Sequence, residues 1–173
     1  MMSAGSRAPY KGPAVRRQSR PGVSPGRPLR IMVPLDDRLA ADSHWVVDWP
    51  LCQVRLMDDA RFFWLVLVPD RAGAVEPFDL APEDQAILWQ EALAAAAALK
   101  AATRAAKINV GLLGNIVSQL HVHVVARRGE DVAWPGPVWG AGVPERLDPA
   151  ALRRRLAEAR AFLALTSRPE MPR

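Results

Sequence analysis

The sequence predicts an α+β domain with an antiparallel sheet, on three observations. Short runs rich in Val, Leu, Phe and Ile, bounded by Pro, Gly and Asp, read as strands that pair as hairpins. One long alanine-rich stretch is inserted between them, with apolar residues at helical spacing. No internal repeat is visible, and 173 residues that are 50% apolar fit one domain with a real core.

Residues 1–31 are rich in Pro, Gly, Ser and Arg, lack apolar periodicity, and are expected to form a disordered basic tail. The stretch has the Arg-rich, acid-free composition of an organelle transit peptide but no clear amphipathic helix. Met32 opens a more ordinary sequence and could be the true start. A solvated tail is the simplest reading.

Order is expected from about Leu35. Residues 36–43 suit a short helix or turn, and Trp45-Val46-Val47 is apolar until Pro50 interrupts it. Residues 51–57 alternate Leu51, Gln53 and Arg55 against Cys52, Val54 and Leu56, as a strand with one drier face does. Asp58-Asp59-Ala60 signals a turn. Residues 62–68 make a second, nearly all-apolar strand, stopped by Pro69-Asp70, which completes a hairpin. After a loop, Pro82 suits the first turn of a helix, with Glu83 and Asp84 well placed against its dipole. Leu88, Ala92, Ala95 and Leu99 carry this helix to about Arg104. Residues 107–113 and 119–127 read as third and fourth strands, with the turn-prone pair Gly114-Asn115 between them. Residues 134–140 hold too much Pro and Gly for regular structure. Asp148 as N-cap and Pro149 in the first turn start a last helix. Its apolar stripe is Leu152, Leu156, Ala159 and Leu163; its wet face is Arg153, Arg154, Arg155, Glu158 and Arg160.

The net charge of +5 misleads as a figure for the whole chain. Residues 1–30 hold seven Lys or Arg and no acid, leaving 16 basic against 18 acidic residues beyond them. The basic character belongs to the tail and gives no ground for specific nucleic-acid binding by the domain. No segment has the uninterrupted apolar length of a membrane span. The single cysteine, Cys52, excludes an intrachain disulfide and suits a reducing, cytoplasmic setting. In its apolar run it reads as a small buried side chain.

Two of the three histidines stand two residues apart, in Gln119-Leu120-His121-Val122-His123-Val124-Val125. Strand alternation puts His121 and His123 on one face, about 6.5–7 Å apart along it. Histidine is only intermediate in its tendency to be buried, so two on one rigid face suit the floor of a site. They could instead be satisfied structural histidines, or metal ligands, since His-x-His is also ligand spacing. A metal would need His44, Cys52 or carboxylates brought in by folding, and no second metal motif is present. Asn109, Asn115, Gln119 and Asp58 could each serve only to satisfy backbone at turns and strand ends. Arg127 and Arg128 read as solvated strand-end charges.

At this strand the sequence resembles the histidine triad (HIT) family of nucleotide hydrolases and transferases. The family pattern is His-x-His-x-His followed by two apolar residues, preceded by Gly-Gln and by an Asn further upstream. Here the triad reads Gln119-x-His121-x-His123-Val124-Val125, Gly114-Asn115 stands at the Gly-Gln position, and Asn109 stands near the upstream Asn. The apolar strand ending in Pro69, then a loop, then a long helix, matches the family's order of elements. The resemblance covers residues 35–140. It implies a HIT-like domain over 32–145, followed by a C-terminal helix and tail over 146–173.

The resemblance implies that His121 attacks the α-phosphorus of a nucleotide, forming a nucleotidyl-histidine that water resolves. Neutral imidazole, with a reference pKa of about 6.5, is a good nucleophile near pH 7, and a covalent intermediate divides one hard displacement into two easier ones. His121 would need its other ring nitrogen held by an acceptor such as a backbone carbonyl. His123 would hold phosphate oxygens as charge develops. Asn109 and Asn115 would donate to the same phosphate, Asp58 would accept from ribose hydroxyls, and Leu56 and Trp64 would wall the base. No metal is required for the covalent step, although a divalent cation can ride on a polyphosphate substrate. The family also implies a homodimer.

Three departures from the pattern stand out. Gln119 replaces the first triad histidine; its amide can still orient by hydrogen bonding but cannot titrate. A further family histidine would fall near Trp64, where there is none. Ile116 stands where many members have a Ser or Thr. With that shell altered, a nucleotide-binding protein of weak turnover is the alternative to a full hydrolase. Residues 134–139 resemble the Trp-Pro-Pro-Gly tail that closes the site in family phosphoramidases, or equally make a rigid loop anchored by tryptophans.

Overall fold

The computed structural model describes residues 33–166, so the expectations for residues 1–31 and for the last seven residues lie outside it. One antiparallel sheet organises the described chain. Its strands are β1 (Ser43–Asp48), β2 (Cys52–Met57), β3 (Phe63–Pro69), β4 (Lys107–Gly111) and β5 (Val122–Arg127), in the spatial order β1-β2-β3-β5-β4. A short helix, α1 (Asp37–Asp42), leads into β1; the long helix α2 (Pro82–Thr103) joins β3 to β4; α3 (Pro149–Ala164) closes the described chain. This is the α+β architecture the sequence predicts, with five strands rather than four. The fifth is β1, where only an apolar patch was legible.

The two long helices, α2 and α3, cover one face of the sheet. Val54, Leu56, Leu65, Leu67, Val122 and Val124 point into one cluster with Ile87, Leu88, Ala92, Ala95 and Leu99 of α2 and Ala159 and Leu163 of α3. The alanines let α2 lie close on β5, β4 and β3. Pro82 does sit in its first turn with Glu83 and Asp84, and the helix ends at Arg104 in the left-handed region, φ 53°. Asp148 caps α3 by accepting from the N–H groups of Ala150 and Ala151, 2.8 Å each.

Two charged side chains belong to the frame. Glu91, on the sheet side of α2, accepts from the backbone N–H of Leu51 and Cys52, 2.8 Å each, and so fixes the start of β2. Arg155 corrects the expectation of a wet face on α3. It is half-buried and donates to the carbonyls of Asp59, Ala60 and Phe62, tying the helix to the turn before β3. Among the described residues no helix is long and apolar enough to cross a membrane.

The second sheet face carries Val66, Val68, Trp64 and Val125, covered by Leu39 of α1, Phe62, Val117 and Val138 rather than by long helices. His123 lies on it, paired with Val66 on one side and Gly111 on the other. Loops and one short helix roof this face, so it can hold an opening.

Candidate functional site

β5 begins at Val122, so His121 is the last residue of the loop before it. Both histidines are buried, at 5% and 6% exposure. Their rings meet edge to face with centroids 4.7 Å apart. His121 Nδ1 lies 2.7 Å from the Gln119 carbonyl oxygen. A carbonyl only accepts, so Nδ1 carries a proton, and in the neutral ring the lone pair is on Nε2.

His123 takes the opposite tautomer. The indole Nε1–H of Trp64 donates to His123 Nδ1 at 3.0 Å. Indole is only a donor, so the His123 proton sits on Nε2. Burial, and then the neighbouring His121, push the His123 pKa from 6.5 down to about 3. At neutral pH the His123 ring therefore presents an N–H without a charge.

The rings line a pocket of about 450 Å³, within the usual size range for small-ligand sites. Leu39, Met57, Trp64, Val117 and Trp139 supply apolar wall; Arg38, Asp42 and Asn115 supply polar groups. Trp139 stands with its centroid 5.6 Å from His123 and 6.0 Å from Trp64. Gly111 makes room for it: a Cβ there would fall 2.8 and 2.9 Å from two Trp139 ring carbons.

The expected site residues divide. His121, His123 and Asn115 share the pocket. Gln119 contributes its carbonyl, whereas its side chain faces the N-terminal segment, accepting from Asp36 N–H at 2.8 Å and donating to the Pro34 carbonyl at 3.2 Å. The amide expected to orient His121 is thus engaged elsewhere, and the backbone of the same residue does the holding. Asn109 accepts from Arg127 at 2.6 Å and is not among the residues that line the pocket. Arg127 is not a solvated strand end: it is 1% exposed, pairs with Asp131 through two nitrogens at 2.8 and 2.9 Å, and lies against the Trp134 ring. The Arg127 hydrogen bond holds the Asp131 carboxyl below its ordinary range, against the upward push of burial.

Asp58 is also drawn away. Its carboxylate accepts from Leu147 N–H at 2.9 Å and Arg146 at 3.2 Å, and lies 3.3 Å from His44 Nε2. Burial pushes the carboxyl pKa up, but the bonds from Leu147, His44 and Arg146 win and hold it below the usual value. It borders an adjoining hollow of about 140 Å³ that shares Asp42, Met57, Trp64 and Gly140 with the histidine pocket. Leu56 packs toward the helices, so the neighbouring Met57, pointing the other way along β2, walls the pocket in its place.

Sequence reading missed Arg38 and Asp42. They stand four apart on α1, hence on one side of it, and both line the pocket. That spacing was the available signal. Trp64, expected as a wall for the base where a family histidine is missing, lines the pocket and is also the donor that sets the His123 tautomer. Among the described residues no group of three or more His, Cys, Asp or Glu is disposed to hold a metal ion.

A sheet carrying His-x-His into a pocket roofed by loops, with helices behind, defines a class, and comparison gives it a name. The HIT domain family matches residues 38–130, and this chain belongs to it. It is 51% identical to a histidine triad protein from Sinorhizobium meliloti 1021, over 75% of this chain and 96% of that one, with a TM-score of 0.73. A histidine triad protein from Bradyrhizobium japonicum is 42% identical, covering 75% and 97%, at 0.73. Another, from Marinobacter aquaeolei VT8, is 37% identical, covering 79% and 99%, at 0.76. No curated protein matches the chain.

Proposed function

We propose that this protein is a nucleotide hydrolase that cleaves a nucleotidyl bond, in a dinucleoside polyphosphate or a nucleoside phosphoramidate, through a nucleotidyl-histidine at His121. The observation that carries the reading is the opposed tautomer pair. His121 is braced at Nδ1 by a carbonyl, which frees Nε2 to attack; His123, set by Trp64, offers Nε2–H to a phosphate oxygen. In the first step the Nε2 lone pair forms an N–P bond and the bond from phosphorus to the leaving group breaks, its electron pair departing with that group. Water then forms the new P–O bond, the N–P pair returns to Nε2, and a proton passes to solvent. Asn115 supports the reading as a polar group in the same pocket. A divalent cation bound to a polyphosphate substrate is compatible with these steps, none of which depends on it.

One observation favours weak turnover instead. The Gln119 amide, which replaces the first triad histidine, is engaged by Pro34 and Asp36 and cannot follow charge changes at His121. Incubation with a labelled adenylyl phosphoramidate separates the readings. The hydrolase forms an acid-labile adduct that turns over and is absent from His121→Ala. Binding of AMP with no adduct, unchanged in His121→Asn, would favour a binding protein. The reading also carries a homodimer in a cytoplasmic setting, supported by the family resemblance and by the outer edge of β4, which pairs with no other strand among the described residues; light scattering of the full chain tests the dimer.

A further inference from the structure

The pocket is short of positive charge for a ligand as anionic as a nucleotide. His123 is neutral, held by the Trp64 donor, and His121 must be unprotonated at Nε2 to attack. Asp42, on the same wall, is paired with Arg146 at 2.8 Å. Arg38 is different. Its exposed side chain lines the pocket, gives one N–H to the Ile116 carbonyl at 3.2 Å, and forms no ion pair among the described residues. A guanidinium has five N–H donors in a fixed plane, so most of its capacity is unspent. Its position is nonetheless set from two sides. Asp36 caps α1 by accepting from Arg38 N–H at 2.9 Å, and the Ile116 contact ties the side chain to the loop that carries Asn115 and leads to His121. Arg38 thus spans the rim between α1 and that loop.

We propose that Arg38 recognises the leaving group, binding the phosphate chain beyond the scissile bond at the mouth of the pocket. This rests on the hydrolase reading above. When His121 Nε2 forms its bond to the α-phosphorus, the bond to the bridging oxygen breaks and the electron pair stays on that oxygen. The new negative charge lies on the departing phosphate, where a guanidinium stabilises it. An amine leaving group departs with a proton and gains nothing from a cation. The site is therefore matched to nucleotides whose leaving group is a phosphate chain, and Arg38 makes that choice.

Binding to the full chain tests the idea without turnover. AMP and α,β-methylene-ADP, which differ by the group beyond the scissile bond, are titrated calorimetrically into wild type, Arg38→Met and Arg38→Lys. Circular dichroism confirms folding of the exposed-site variants. Wild type should bind the diphosphate analogue about tenfold more tightly than AMP, the discrimination expected of one partly exposed charge-assisted contact. The ratio should fall to about one in Arg38→Met, lie between in Arg38→Lys, and shrink with added salt in wild type. Equal affinities in wild type, or a preference that survives Arg38→Met, would overturn the assignment while leaving the hydrolase reading intact. Failure of wild type to bind either nucleotide would overturn both.

Discussion

A histidine whose pKa lies near 3 leaves a signature in the unfolding of the protein. In the unfolded chain His123 takes up a proton as the pH falls below about 6.5; in the native protein it waits until about 3. Between those values the unfolded state holds more protons, so stability falls as the pH falls. The contribution is fully present above pH 6.5 and is lost progressively below it. From pH 7 to pH 5 this residue alone accounts for roughly 2 kcal/mol. Denaturant unfolding of wild type and His123→Asn at both pH values measures it: the variant should lose less stability on acidification by about that amount. Equal losses would mean that His123 titrates like an exposed imidazole. The position of this residue was legible in the sequence, because alternation along a strand is local and puts His121 and His123 together. Its chemistry was not, because the donor that fixes its tautomer lies 59 residues away on β3. The partners of Asp58 were hidden for the same reason. A carboxylate at a strand end looks free until Arg146 and Leu147 arrive from 88 and 89 residues further on.

Between β4 and β5 the pairing of Gly111 with His123 sets the wall of the pocket. Trp139 fills the space that a side chain at Gly111 would take, with ring carbons 2.8 and 2.9 Å from the Cβ position. Gly111→Ala should therefore push Trp139 away from His123, at a cost of about 1–3 kcal/mol for overpacking, and weaken AMP binding roughly tenfold through the displaced wall. Gly129→Ala is the control, since nothing lies within 4 Å of a Cβ there. Intrinsic tryptophan fluorescence and nucleotide titration of both variants decide it. If Gly111→Ala binds AMP as wild type does, Trp139 is not a working part of the site. The hairpin β2–β3, the start of α2 and the capping of α3 were readable because Pro, Asp and alternation act within a few residues. β1 was not. Its run is short, its ends are polar, its register slips between Trp45 and Val47, and only pairing with β2 makes it a strand.

The division of the sheet into a helix-covered face and a chemical face separates stability from function across the molecule. Leu163 of α3 and Leu88 and Leu99 of α2 are buried against the first face, with Val54 and Leu65 beneath them. His121, His123 and Arg38 line an opening on the other. The apolar stripe of α3 was legible as a period, but its destination on α2 and β1 was not, because an amphipathic pattern names a wet side and a dry side without naming what lies against the dry one. Leu163 is 2% exposed, and trimming it to Ala should cost about 2–5 kcal/mol through lost burial and the cavity left behind. Bending of the sheet is the route by which such a cavity could reach the histidines, and close-packed interiors resist it. Leu163→Ala should therefore unfold at markedly lower denaturant while binding AMP within about twofold of wild type at temperatures where it stays folded. Thermal melts set that temperature window, and calorimetric titration inside it reads the affinity. A large loss of affinity in the folded variant would show that α3 shapes the pocket through the sheet, and the two faces would then have to be treated as one coupled unit.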